Sequence, residues 1–339
     1  LNYMIKINKK DKINLKGLKY IDLFAGIGGF HLALSSFDME CVYASEWDKH
    51  AQTVYENNFD LTPEGDITKK LEKDIPKHDI LCGGFPCQAF SISGKQKGFE
   101  DSRGTLFFDI ARIADYHKPS ILFLENVYNL EKHDGGRTLK TILKTLDEIG
   151  YDTYTKVLNA SHYGVPQIRK RIFFVCFKKE LNIKKFKFPE PTITDTKLLD
   201  FLEKEVDESM YLSQDKLKDV KLKPKDINIE LPFSVKKYNS SIRLGSIKKG
   251  GQGDRIYSVD GSAITLSAYG GGTGSKTGLY MIDGKIRKLT PRECANISGF
   301  PKDFKLHTNK NCSYKQFGNS VVVDVLQNIL KEVNSVFEF

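Results

Sequence analysis

The sequence predicts an α/β protein in which a parallel sheet is covered on both faces by helices and carries a second, smaller, glycine-dense domain. Three observations predict it. Apolar strand-like runs alternate with helical periodicity from residue 18 to about residue 177. Glycines interrupt the chain directly after the first apolar run, as at a strand-to-helix turn. Beyond Pro189 the composition turns charged and weakly periodic, then β-like and rich in glycine.

Each element follows from its local pattern. "LKYIDLFAGIGGFHLAL" (18–34) reads as strand, glycine turn and helix, with the break at Gly26, Gly28 and Gly29. "CVYASEWD" (41–48) is the next strand, followed by a helical stretch through Tyr55. "HDILCGGFP" (78–86) is another strand, and "GTLFFDIARIADYH" (104–117) is a helix with Phe107, Ile110 and Ile113 or Ala114 on one face. "PSILFLENV" (119–127) is apolar enough for a central strand, and "TLKTILKTLDEIGY" (138–151) is an amphipathic helix ending at Gly150. "RIFFVCF" (171–177) closes the series as a strand. The tail "YKQFGNSVVVDVLQNILKEV" (314–333) is a glycine turn and a buried-looking helix that is expected to pack back onto the first domain.

Composition limits the function classes. Lys and Arg number 52 against 43 Asp and Glu, a net charge of +9 that suits an anionic partner but also an ordinary solvated surface. Six cysteines (Cys41, Cys82, Cys87, Cys176, Cys294 and Cys312) form no C-x-x-C pair, so neither a disulfide framework nor a metal site is expected. No signal-peptide pattern and no apolar run of about 18 residues occur, which predicts a soluble, cytoplasmic protein without a membrane partner.

Two segments carry chemistry. The turn "FAGIGG" places backbone N–H groups and a helix N-terminus at the carboxyl edge of the sheet, a ready anion site. Glu46, twenty residues after Gly26, can bond ribose hydroxyls. His31 stands where a third glycine of G-x-G-x-x-G would be, so a ligand with an adenosine but no pyrophosphate fits better than a dinucleotide. Trp47 can stack on an adenine, although it can equally be core filling, and Asp66 can accept from the exocyclic amine. The second segment is "GGFPCQAFSISG" (83–94), where Cys87 follows a proline on a loop. Phe90 occupies the second-ligand position of the zinc-deaminase P-C-x-x-C signature, so Cys87 reads as a nucleophile that needs cations near its thiolate. Arg169 and Arg171 in "PQIRKR" share one strand face, and Glu125 ends the strand "ILFLE" at the same edge, either as a working carboxylate or as a structural ion pair.

These pieces resemble the bacterial DNA cytosine-5 methyltransferases. The matching segments are "DLFAGIGG", "EWD", "GDI", "GGFPCQAFS", "DSRGTLFF", "LENV", "LNASHYGVPQIRKRIFFV", "RKLTPRECANISGFP" and "YKQFGNSV", in family order and nearly end to end. The resemblance is weakest from about 180 to 240. It implies a Rossmann-like S-adenosylmethionine-dependent sheet formed by 1–195 and 305–339, a glycine-rich target-recognition domain at 196–285 and a hinge region at 286–304. It also implies that Cys87 attacks C6 of a cytosine flipped out of double-stranded DNA, with Glu125, Arg169 and Arg171 assisting and the segment 86–106 closing about Gly94 and Gly98. Phe24, Gly26, Gly28, Glu46, Trp47, Asp66, Ile67, Pro86, Leu106 and Asn319 would hold the cofactor, S-adenosyl-L-methionine.

For DNA, Ser93 would approach from the minor groove, while Gln252, Arg255, Thr265 and Tyr269 belong to the recognition region. Arginine is the commonest reader of guanine, and the match around "KGGQGDRIYS" and "AITLSAYGGG" suggests the target GCGC. A monomer protecting host DNA beside a restriction endonuclease is the expected setting. The rivals are an RNA (tRNA) cytosine-5 methyltransferase, a non-catalytic DNA-binding protein and a dinucleotide oxidoreductase. The long glycine-rich region at 240–280 disfavours the first, the intact Cys87, Glu125, Arg169 and Arg171 the second, and His31 the third.

Overall fold

The computed structural model describes residues 15–86, 106–192, 195–222, 240–247 and 251–337. Cys87, Ser93, Gly94 and Gly98 lie outside these, as does the side chain of Gln252.

The first half builds β1 (Lys19–Leu23), α1 (Gly29–Ser35), β2 (Glu40–Ser45), α2 (Lys49–Asn58), β3 (Ile80–Gly84), α3 (Leu106–His117), β4 (Ile121–Val127) and α4 (Arg137–Glu148). It ends with β5 (Tyr151–Asn159) and β6 (Lys170–Lys178). These strands form a six-stranded sheet in the order β2-β1-β3-β4-β6-β5. The first four are mutually parallel. β6 runs antiparallel to both β4 and β5, so the sheet is mixed rather than wholly parallel. The alternation of strand and helix predicts parallel crossovers, but β5 returns into β6 through residues 160–169 without a helical crossover, and this reverses the strand. The sequence reading also passes over β5, because this edge strand, "YDTYTKVLN", is mostly half-exposed and carries little apolar signal.

Apolar content places the layers. β4 buries Ile121 through Asn126, as expected of a central strand. α3 turns Phe107, Ile110, Ile113 and Ala114 inward onto one face of the sheet, together with Ile142 and Leu146 of α4. On the other face lies the tail: α7 (Lys310–Asn319) and then α8 (Val323–Ser335), whose Leu326, Ile329, Leu330 and Val333 join Phe30, Ala33 and Leu34 of α1 in one core. Gly29 permits this approach, since a Cβ there would sit 2.5 Å from Val321 Cγ2. The expected return of the tail to the first domain is therefore observed.

The glycine-dense region forms a second sheet of short strands. After α5 (Gln214–Leu217) come β7 (Val220–Leu222), β8 (Arg243–Ile247), β9 (Arg255–Ser258), β10 (Leu279–Ile282) and β11 (Lys285–Arg287), ordered β11-β10-β9-β8-β7. Its own small core is Ile247, Ile256, Leu279 and Ile286. α6 (Pro291–Asn296) follows, opened by a capping box in which Thr290 and Glu293 satisfy each other's backbone N–H. Arg287 and Glu293, 1% and 0% exposed, form a two-pronged ion pair with both N–O distances 2.7 Å, fastening β11 to α6. Among the described residues, no helix is long and apolar enough to cross a membrane.

Candidate active site

The turn leaving β1 is tight and strained. Phe24 has φ +57°, a left-handed conformation that costs a non-glycine residue on the order of 1–3 kcal/mol and collects at functional sites. Gly28 also has positive φ, and a Cβ there would overlap the Phe59 ring at 2.1 Å. Gly28 caps α1 and packs on Phe59, off the wall of the cavity described below.

The anion held by this turn is the protein's own. Gly26 N–H donates to Glu46 Oε2 and Asp48 N–H to Glu46 Oε1, each at 2.8 Å. One N–H of the turn is therefore already taken by a carboxylate, which disfavours a pyrophosphate there. Burial raises the Glu46 pKa against these two backbone donors. Trp47 is 78% exposed, so it is not core filling. Asp66 caps the turn Ile67–Lys69, accepting from the Thr68 hydroxyl at 2.8 Å, a bond that lowers its pKa. Sequence reasoning missed Arg112 of α3, which donates to the Ile67 and Lys70 carbonyls at 2.7 and 2.9 Å and so holds that turn in place.

At the ends of β3 and β4 the backbone comes close to a carboxylate. A Cβ on Gly84 would lie 3.1 Å from Glu125 Oε2. Glu125 is 8% exposed, and Arg171 Nε donates to its Oε1 at 2.9 Å. Burial raises the Glu125 pKa, while Arg171 and then Arg169 pull it down. The next residue, Asn126, donates from Nδ2 to the Phe85 carbonyl at 2.9 Å and accepts from Val127 N–H. It thus anchors the segment that runs into Pro86, a role that residue type alone does not reveal.

The two arginines part company. Arg169 is 3% exposed and donates to the carbonyls of Leu266, Gly318 and Ser320, at 3.1, 3.0 and 2.6 Å. Burial lowers its pKa, and the three carbonyls compensate for lost water. It is a tie between the glycine-dense region, the tail and the sheet, whereas Arg171 faces Glu125.

One cavity of about 770 Å³ collects these groups. Phe24, Gly26, Glu46, Trp47, Asp66 and Ile67 form one part of its wall, and Pro86, Leu106 and Asn319 another. Glu125, Arg169 and Arg171 line the same space, with Lys315 and the 81% exposed Tyr269. Lys315, which the sequence reading overlooked, pairs with Asp48 at 2.9 Å. Of the residues expected to touch DNA, Arg255 opens β9 and lies off this wall, and the Thr265 hydroxyl donates to the Ile168 carbonyl at 2.5 Å, so it has no proton left to give. Cys87 and Ser93 lie outside the described residues.

Residues 18–335 match the family model of the C-5 cytosine-specific DNA methylases. The chain belongs to that family. The methylase is 55% identical to the type II methyltransferase M.HhaI of Haemophilus parahaemolyticus over 99% of both chains. It is 40% identical to the type II methyltransferase M.HpaII of Haemophilus parainfluenzae, covering 94% of this chain and 91% of that one. In fold it resembles a Spodoptera frugiperda DNMT2 mutant, with a TM-score of 0.70, 22% identity and coverage of 94% and 99%. The methylase is thus a DNA cytosine-5 methyltransferase, an activity consistent with its excess of positive charge.

Proposed function

We propose that this methylase flips a cytosine out of duplex DNA and methylates its C5 through a transient bond from Cys87 to C6. The observation that carries the reading is that one cavity joins the Glu46–Trp47 wall to the Glu125–Arg171 pair. A donor bound at the first would face a base held at the second. S-adenosylmethionine, when bound, supplies a methyl group on a positively charged sulfur. The wall suits it: an exposed indole for the adenine, Glu46 for the ribose, Asp66 for the exocyclic amine, and no vacant pyrophosphate cradle.

The chain's own groups do the remaining work. The Cys87 thiolate adds to C6, and the C5–C6 electron pair moves toward C4 and N3. Glu125, whose pKa burial raises while Arg171 and Arg169 pull it down, hydrogen-bonds N3 when it carries a proton and accepts from the amine, which stabilises that density. C5 then accepts the methyl group; a base acting through water takes the C5 proton as the C6–S bond breaks, which releases the Cys87 thiolate and restores the ring. Arg171 orients Glu125, and Arg169 positions the cavity's far wall. Extrusion is required because no residue reaches C6 inside a stacked duplex.

We further infer that 1–195 and 305–339 form the catalytic unit, 196–285 reads the target and 286–304 is the hinge. The second sheet within 220–287 and the buried Arg287–Glu293 pair beside it support that division. The proposed target is GCGC, with Gln252 and Arg255 in the major groove, Ser93 in the minor groove, and a companion restriction endonuclease in the same bacterium. Duplex DNA carrying 5-fluorocytosine at GCGC tests both parts. With S-adenosylmethionine present it should become trapped as a denaturation-stable adduct that Cys87→Ala lacks, and treated plasmid should resist cleavage at GCGC. No adduct overturns the covalent route. Cleaved GCGC beside methylation elsewhere overturns the target alone, and transfer to tRNA but not DNA overturns the substrate.

A further inference from the structure

Away from the cavity, three metal-ligating side chains from distant parts of the chain converge. One ligand atom each from His50, His307 and Cys312 lies within 4.8 Å of the other two. His50 stands in the first turn of α2, Cys312 in the first turn of α7, and His307 in the segment leading into α7. None of the three lines the cavity. His50 is exposed, and His307 and Cys312 are half-buried, so an ion can enter from solvent.

The two imidazoles already face each other through nitrogen, His50 Nδ1 to His307 Nε2 at 3.0 Å. Asn309 N–H donates to His307 Nδ1 at 2.9 Å. In the neutral pair, His307 Nε2–H therefore donates to the lone pair of His50 Nδ1. A tetrahedral zinc ion, with bonds of about 2.0–2.3 Å to nitrogen and sulfur, needs ligand atoms about 3.3–3.7 Å apart. The nitrogens need to part slightly and the thiol to approach by about 1 Å, both within reach of side-chain rotation at a surface.

We propose that His50, His307 and Cys312 form a Zn²⁺-class transition-metal site, with water as fourth ligand, that staples α2 to the head of α7. On binding, the Cys312 thiol gives its proton to solvent and the thiolate takes the metal. The His307 proton moves from Nε2 to Nδ1, releasing the Asn309 N–H to water, which reaches it because Asn309 is exposed. The donor set of two imidazoles and one thiolate favours zinc, cobalt or copper over calcium or magnesium. Other contacts already run along this seam. Gln316 donates from Nε2 to the His50 carbonyl at 3.1 Å, and Asn58 exchanges two hydrogen bonds with the Lys305 backbone. A metal would complete a seam whose inner side, Asp48 and Lys315, belongs to the cavity wall.

Co²⁺ titration of the full chain tests the site. One equivalent should give tetrahedral d–d bands and a thiolate charge-transfer band, and Zn²⁺ should displace it and raise the thermal midpoint. Cys312→Ser and, independently, the exposed-site variant His50→Gln should each weaken Co²⁺ binding at least tenfold and abolish the zinc-dependent midpoint shift. Circular dichroism and metal-free midpoints should remain those of the parent. Absence of the charge-transfer band, or its persistence in Cys312→Ser, overturns the proposal and leaves the two histidines as a hydrogen-bonded pair.

Discussion

Arg171 Nε and Glu125 Oε1 meet at 2.9 Å across the antiparallel pair β4–β6, where Val127 stands opposite Arg171 and Phe173 opposite Glu125. The bond is diagonal across the ladder, and both side chains are almost withdrawn from water. Removing one partner of such a pair strands the other's charge, typically costing about 3–5 kcal/mol.

Arg171→Ala and Glu125→Gln should therefore each destabilise, since either leaves a buried partner without its counter-charge. The double variant should recover part of the thermal midpoint without recovering methyl transfer, because the carboxyl group is still missing. Denaturant melts together with a labelled-methyl assay read both quantities. An Arg171→Ala protein as stable as the parent refutes the stranded-charge argument.

Trp47 offers a cleaner separation of binding from folding. Its ring is 78% exposed, so Trp47→Ala should change stability by no more than about 0.5 kcal/mol. Loss of an aromatic platform for a base costs about 1–3 kcal/mol, so the dissociation constant for S-adenosylhomocysteine should rise about 5- to 150-fold by calorimetry. Unchanged affinity removes Trp47 from the cofactor wall.

Gly318 sits against the glycine-dense region with no room to spare. A Cβ there would lie 2.2 Å from the Ala268 backbone nitrogen and 2.4 Å from the Ser267 carbonyl carbon. Gly318→Ala must push Ser267–Ala268 away from α7 and disturb the Arg169 bonds to Leu266 and Gly318. A stability loss of about 1–3 kcal/mol is expected, as for overpacking. Faster amide exchange at 266–268 would locate it, and unchanged exchange there refutes the packing argument.

His78 makes the fold acid-sensitive. It is 4% exposed and hydrogen-bonded through Nδ1 to the Pro76 carbonyl at 2.8 Å, and burial lowers its pKa to about 4. The unfolded chain takes up this proton near pH 6.5 and the folded chain does not, so stability is full above pH 6.5 and falls as pH drops toward 4. The loss is on the order of 3 kcal/mol at one pKa unit per 1.36 kcal/mol. His78→Phe should make the stability profile shallower between pH 6.5 and 4, the remaining slope coming from groups such as His31, whose pKa burial also lowers to about 4. An unaltered profile assigns the acid loss to other groups.

What was legible in the sequence was local. The glycine break after "YIDLF", the buried run "ILFLE" and the inward stripe of α3 rest on chain-neighbour periodicity and on backbone angles that few residues adopt. The cavity residues were also foreseeable, because strand ends at one sheet edge bring Phe24, Glu46, Pro86 and Glu125 together whatever the loops do.

Tertiary structure decided what depends on partners far along the chain. It reversed β6, because nothing in "RIFFVCF" encodes the direction of its neighbours. It turned Arg169 onto three carbonyls and Arg171 onto Glu125, although the two are near-identical neighbours in sequence. It left Trp47 at the surface, filled the turn with Glu46, and drew His50, His307 and Cys312 into one cluster. The physical reason is common to all of these. Side-chain hydrogen bonds and ion pairs act over a few ångströms, so the fold has to bring the partners together before residue type can assign a role.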